Sequence, residues 1–232
     1  GSIPVSASAG QDDLVARAKR DPAGLLADAL DRYDRQVRDY AGVFTRQEIH
    51  NGKLQPLMAC RFQFRQEPFS VAMQVTEGAG RADRMVFVEG SNDGKMLVHP
   101  TGVVGKLMPC VAIDPEGEQA RQNTSRTIKD FGLRNAMERL LGRYRDSRRQ
   151  GQLRTECLGI HDLGGQRVLV IKATDRLGEV LTELDVDRLV PLRIRAYDPA
   201  GKPVGLFVFN DLQFNQGLGD EAFSKESNGL AG

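Results

Sequence analysis

The chain has 232 residues, 40% apolar and 27% charged, which is material for one large domain or two small ones with a real core. Its 32 basic and 31 acidic residues leave a formal net charge of +1, and the basic residues are scattered through every segment, so nothing points to nucleic acid as a partner. No apolar run approaches the roughly 20 residues of a membrane-crossing helix, and Cys60, Cys110 and Cys157 lack the paired spacing of a zinc site or a disulfide framework.

The opening stretch GSIPVSASAGQDD reads as a cloning scar (Gly1, Ser2) and a small-residue leader, so residues 1–20 are set apart from the fold, with a short helical piece in DDLVARAKR. Asp21 followed by Pro22 marks a helix start. Leu25, Leu26, Ala29, Leu30, Tyr33, Val37 and Tyr40 then recur at three- and four-residue spacing, which predicts an amphipathic helix ending near Tyr40.

From Gly42 to about Leu107 the pattern changes to short alternating segments, VFTRQEIH, LMACRFQFR, FSVAMQV, RMVFVEG, KMLVHP and GVVGKLM, separated by turn residues such as Asn51-Gly52, Pro68 and Asn92-Asp93-Gly94. Six consecutive strands exclude a doubly wound βαβ fold. IDPEGEQARQN predicts a loop with a short helix begun by Asp114-Pro115. FGLRNAMERLLGRYRDSRRQ predicts the second main helix, with Leu133, Met137, Leu140, Leu141 and Tyr144 on one side and six arginines crowding a solvated remainder. Five further strands follow: LRTECLGI, QRVLVIKAT, EVLTELDV, PLRIRAYD and PVGLFVFNDLQF.

No linker separates the two strand blocks. The expected class is therefore α+β, mainly β: a single domain over residues 21–223 with a tail at 224–232, built as a strongly curved antiparallel sheet of about eleven strands with two main helices on its concave side. Such a sheet turns some ~30 side chains inward, more than two helices of four or five turns can cover. The uncovered part is expected to be an apolar ligand cavity. Its lining would be Leu30 and Tyr33 of the first helix, Phe62, Phe64, Phe69, Val71, Met73 and Phe87 of the strands, and Met137 and Leu141 of the second helix. Met85, Met96, Met108, Phe207 and Phe209 are further inward candidates.

Catalysis would need a nucleophile with a base, or a metal, and the histidines are the scarce resource. His50, His99 and His161 sit at strand ends and turns, and no HxH, HExxH, GxSxG or phosphate-binding glycine spacing occurs, so no enzyme, metal or cofactor is expected.

The motifs EPFSVAMQV, FVEGSNDGKMLVHPTG, LMPCVAIDPEGEQAR and FGLRNAMERLLG resemble a family of bacterial cell-envelope proteins known only as a domain of unknown function. YDPAGKPVGLFVFNDLQFNQGLGDEAF is similar to that family and to outer-membrane lipoprotein-sorting proteins of the LolA type, the resemblance covering roughly residues 25–223. It implies a half-open barrel with helices at its mouth, and a periplasmic or envelope-associated protein exported by a signal peptide outside this sequence. The implied partners are lipid or an acylated lipoprotein, with a membrane-protein donor or acceptor; the alternative is a lipid-responsive sensor or protein-binding module. The chain departs from the LolA carriers in having no tryptophan and in its long 88–123 segment.

Overall fold

A computed structural model describes residues 1–231. In chain order the elements are β1 (Ile3–Pro4), α1 (Ala9–Arg20), α2 (Pro22–Gln36), β2 (Asp39–His50), β3 (Lys53–Leu54), β4 (Met58–Arg65), β5 (Ser70–Glu77), β6 (Ala82–Val88), β7 (Met96–Pro100), α3 (Gly102–Leu107), β8 (Val111–Ile113), α4 (Leu133–Arg149), β9 (Arg154–Leu163), β10 (Gln166–Asp175), β11 (Gly178–Asp185), β12 (Pro191–Tyr197) and β13 (Pro203–Phe214). The thirteen described strands make an antiparallel sheet in the order β1-β9-β10-β11-β12-β13-β2-β4-β5-β6-β7-β8, with β3 paired to β2. The path has two ends and does not close. The chain divides into two compact units, 1–36 with 133–208 and 37–132 with 209–231.

In the first unit, α1, α2 and α4 meet β9 to β12. Leu25 and Leu26 of α2 and Leu140, Leu141 and Tyr144 of α4 pack in one buried cluster with Ile160, Leu169, Ile171, Val180 and Leu184 of the strands. Each fully buried aliphatic side chain of this cluster contributes about 1.5–3 kcal/mol relative to its exposed state. Arg134 of α4 forks onto Asp34 of α2, its Nε and Nη2 donating at 2.8 and 3.1 Å. Residues 1–20, read as a leader, take part in the packing: Ala18 is buried in this cluster and Ile3 pairs Asp162.

In the second unit, β4 to β8 form a meander whose register puts like with like. Phe62 lies opposite Met73 and Met73 opposite Met85; Phe64 lies opposite Val71 and Val71 opposite Phe87. The other phase is also apolar, with Ala72 opposite Val86 and Val86 opposite Leu97. Phe223 and Leu230 of the C-terminal segment cover that face, so β5 to β7 are buried on both sides. Three contacts hold the segment down. Asp39 accepts the backbone N–H groups of Gln216, Gly217 and Leu218 at 2.6, 3.0 and 3.1 Å. Arg65 lies over the Phe223 ring, 4.9 Å from its centroid, and Arg84 Nη1 donates to the Gly229 carbonyl at 3.0 Å.

Three local expectations are corrected. The first main helix stops at Gln36, because Tyr40 begins the two-residue alternation Tyr40, Gly42, Phe44 of β2; its spacing from Val37 only imitates a helical turn. GVVGKLM is the helix α3 and not a strand, and Met108, expected to face inward, is 52% exposed. Gly105 lets that helix fold onto β7, since a Cβ there would fall 1.8 Å from the Pro100 carbonyl oxygen. Residues 114–123 hold no helix: Asp114 Oδ1 accepts the Glu116 N–H at 2.9 Å and single turns follow at Gly117, Ala120 and Arg121.

Candidate functional site

Alternation along β2, β4, β5 and β6 aims their aromatic and long apolar side chains at one face of the second unit. Tyr40, Phe44, Phe62, Phe64, Phe69, Phe87, Phe131, Phe209 and Phe214 form a network of ring contacts with centroids 4.8–6.3 Å apart. Edge-on and tilted pairs prevail, the geometry that aromatic quadrupoles favour. Phe131 differs from its neighbours in origin. It belongs to no strand, yet its ring touches Phe44, Phe62, Phe64 and Phe209. Gly132 follows with φ +114°, and a Cβ there would come within 3.0 Å of both Phe64 and the Tyr40 hydroxyl. Only glycine therefore lets the chain leave the cluster at that point.

The same phase of β2 turns polar beyond Phe44. Arg46 Nη1 stands 3.7 Å from Glu48 Oε1, and Glu48, buried, accepts the Thr124 hydroxyl at 2.5 Å. Burial lowers the pKa of Arg46 and of Arg126 from the ordinary arginine value, and the charge of Glu48 opposes that fall. Burial also pushes the Cys60 thiol up to about 12, which leaves it a small apolar side chain without thiolate character. The face is thus apolar over most of its extent and charged at one end.

Of the residues singled out from sequence, Phe62, Phe64, Val71, Met73 and Phe87 lie buried in the second unit, and Phe69 is half-buried there. Tyr33, Met137 and Leu141 are buried in the first unit, where Leu30 packs, half-buried, against the cluster holding Leu141. Phe131 was missed, because FGLRNAMERLLG reads as the start of a helix; its signal is an aromatic residue immediately before a glycine and outside the helical apolar stripe.

One arrangement brings a serine, a histidine and a carboxylate together. Ser2 Oγ lies 3.2 Å from His161 Nδ1 and donates its hydrogen bond to Glu183. Glu183 is also held by Arg193 and Arg195, and its pKa is lowered: burial opposes the shift, and the bonds from Arg193 and Ser2 overcome it. Among the described residues no three metal-ligating side chains gather, and no helix is long and apolar enough to cross a membrane.

The family model described as "Protein of unknown function (DUF1571)" matches residues 37–229. No curated protein matches the chain. Among solved structures, a chain of the MucA/MucB complex of Pseudomonas aeruginosa is similar at 17% identity with a TM-score of 0.51, over 88% of this chain and 60% of that one. Lipoprotein LppX of Mycobacterium tuberculosis aligns at 14% identity and a TM-score of 0.47, over 86% and 98% of the two chains. A LolA superfamily protein of Nitrosomonas europaea aligns at 11% and 0.38, over 87% and 98%. The chain spans about three-fifths of the MucB chains it matches, and the likeness at a TM-score of 0.51 shows a common fold.

Proposed function

The chain belongs to the DUF1571 family, whose description carries no activity, and we propose that it is a non-catalytic carrier of acyl chains, of lipid or lipoprotein origin, working in the bacterial periplasm or cell envelope. The observation that carries the reading is the aromatic face of the second unit, closed by a ring that comes from outside the strands. Phe62, Phe64, Phe69, Val71, Met73 and Phe87 form the floor, and Phe131 is the ring an acyl chain displaces. Burying a chain gains about 0.8 kcal/mol per methylene, less what the ring contacts of Phe131 lose. Only that difference drives uptake, so holding is tight enough to carry and weak enough to release.

The test is titration of the purified chain with a fluorescent palmitate analogue, alongside native mass spectrometry of protein isolated from a bacterial envelope. Saturable binding is expected, several-fold tighter for Phe131→Ala, which removes the competing ring; circular dichroism confirms the sheet. Absence of binding by both proteins, with no acyl mass co-purifying, overturns the carrier reading. A second reading, a module that docks a protein partner, then takes its place. It is supported by the common fold with MucB, crystallised in complex with MucA(peri), and by the floor side chains being covered by the protein's own rings.

A further inference from the structure

Eight large apolar side chains stand exposed on the described chain, and four of them, Val103, Val104, Leu107 and Met108, fall within six consecutive residues at α3. Val103 and Val104 lie one turn from Leu107 on the helix, and Met108 follows as its C-cap, so the four make one short apolar stripe. That stripe faces water, with exposures of 72, 54, 78 and 52% in the same order. The opposite side, at Gly105, is packed down on the Pro100 carbonyl. An ordinary surface helix turns its apolar stripe inward; this one is inverted.

The element is also braced from behind. Thr101, which precedes it, donates its backbone N–H to the Arg81 carbonyl and its hydroxyl to the Gly80 carbonyl, both at 2.8 Å. Charge selects the partner. Lys106 is exposed on the helix, residues 102–113 contain no acidic residue, Arg81, also exposed, supplies the carbonyl that braces Thr101, and Asp83 of the paired strand is taken up by His99. Four side chains are also far too few for a stable protein interface, which needs roughly 800 Å² on each side. They suffice for shallow insertion between lipid headgroups, with lysine at the phosphate level.

We propose that α3 is a membrane-docking tip, seating the protein on an anionic bilayer surface through Val103, Val104, Leu107 and Met108 with Lys106 at the headgroups. The tip acts whether or not the aromatic face carries an acyl chain, so its success or failure is independent of the carrier reading.

The chain contains no tryptophan, so Leu107→Trp gives a single reporter at the tip. With vesicles of phosphatidylethanolamine containing about 30% phosphatidylglycerol, its emission should shift to the blue and be quenched by lipids brominated high on the acyl chain. The parent chain should co-float with these vesicles and less with pure phosphatidylcholine. Val104→Asp with Leu107→Asp should reduce flotation at least about tenfold, equivalent to about 1.4 kcal/mol, with an unchanged circular dichroism spectrum. The proposal is overturned if the tryptophan emission ignores vesicles, or if the double variant floats like the parent. It is equally overturned if the blue shift appears without lipid and grows with protein concentration, since a second copy would then cover the stripe.

Discussion

Asp175, at the turn between β10 and β11, is one of two carboxylates of the first unit, with Glu183, whose pKa lies below its ordinary value. Arg143 Nε and Nη2 each donate to its carboxylate at 2.7 Å, and the Ser147 hydroxyl and the Leu177 backbone N–H add bonds of 2.8 Å. The fork from Arg143, foremost, holds the carboxyl down to about 2, against an ordinary value of 3.8. A depressed carboxyl stabilises the fold above its unfolded pKa and loses that contribution as pH falls through its folded one. The window is therefore about pH 4 to 2, and the contribution about 2 kcal/mol. Urea denaturation of the parent and Asp175→Asn should differ by that amount at pH 6 and converge near pH 2. A difference that does not change with pH would show that the charge of Asp175 contributes nothing.

At the scale of elements, the C-terminal segment is the least obvious stabilising part. Leu230 is buried against the outer phase of β5 to β7, and Leu230→Ala should cost about 2–3 kcal/mol in chemical denaturation. A loss under about 0.5 kcal/mol would mean that the segment does not cover the sheet. Much of the strand framework was legible in sequence because alternation repeats: Cys60, Phe62 and Phe64 against Val71, Met73 and Phe87 need only a period of two. What alternation could not tell was that the second phase, Ala72, Val86 and Leu97, is buried as well, since its cover lies some 130 residues further along the chain. The aromatic floor was legible for the same local reason. Phe131 was not, because its partners are brought together only by the fold. Val103 and Val104 pointed to a strand by β-branching, and a close approach at Gly105 outweighed that propensity.

For the whole molecule, the decisive fact is that neither unit is a continuous piece of chain. Residues 37–132 lack Phe209, Phe214 and the cover at Phe223 and Leu230, so expressed alone they should show no cooperative thermal transition. Joined to residues 209–231 through a Gly/Ser linker they should regain one. Cooperative melting of 37–132 alone would remove the argument. Two units assembled from interleaved stretches also order events in time. The bonds from Gln216, Gly217 and Leu218 to Asp39 close a loop of about 177 residues, which for a flexible chain is an entropic cost of about 4–5 kcal/mol. During synthesis, the meander β4 to β6 is complete by residue 88, while Phe209 and then Phe214 have yet to be made. At ~5–20 residues per second, the sticky aromatic surface waits on the order of ten seconds for its last ring. The newborn chain is thus at its most aggregation-prone during that wait, and a holding chaperone belongs at that interval.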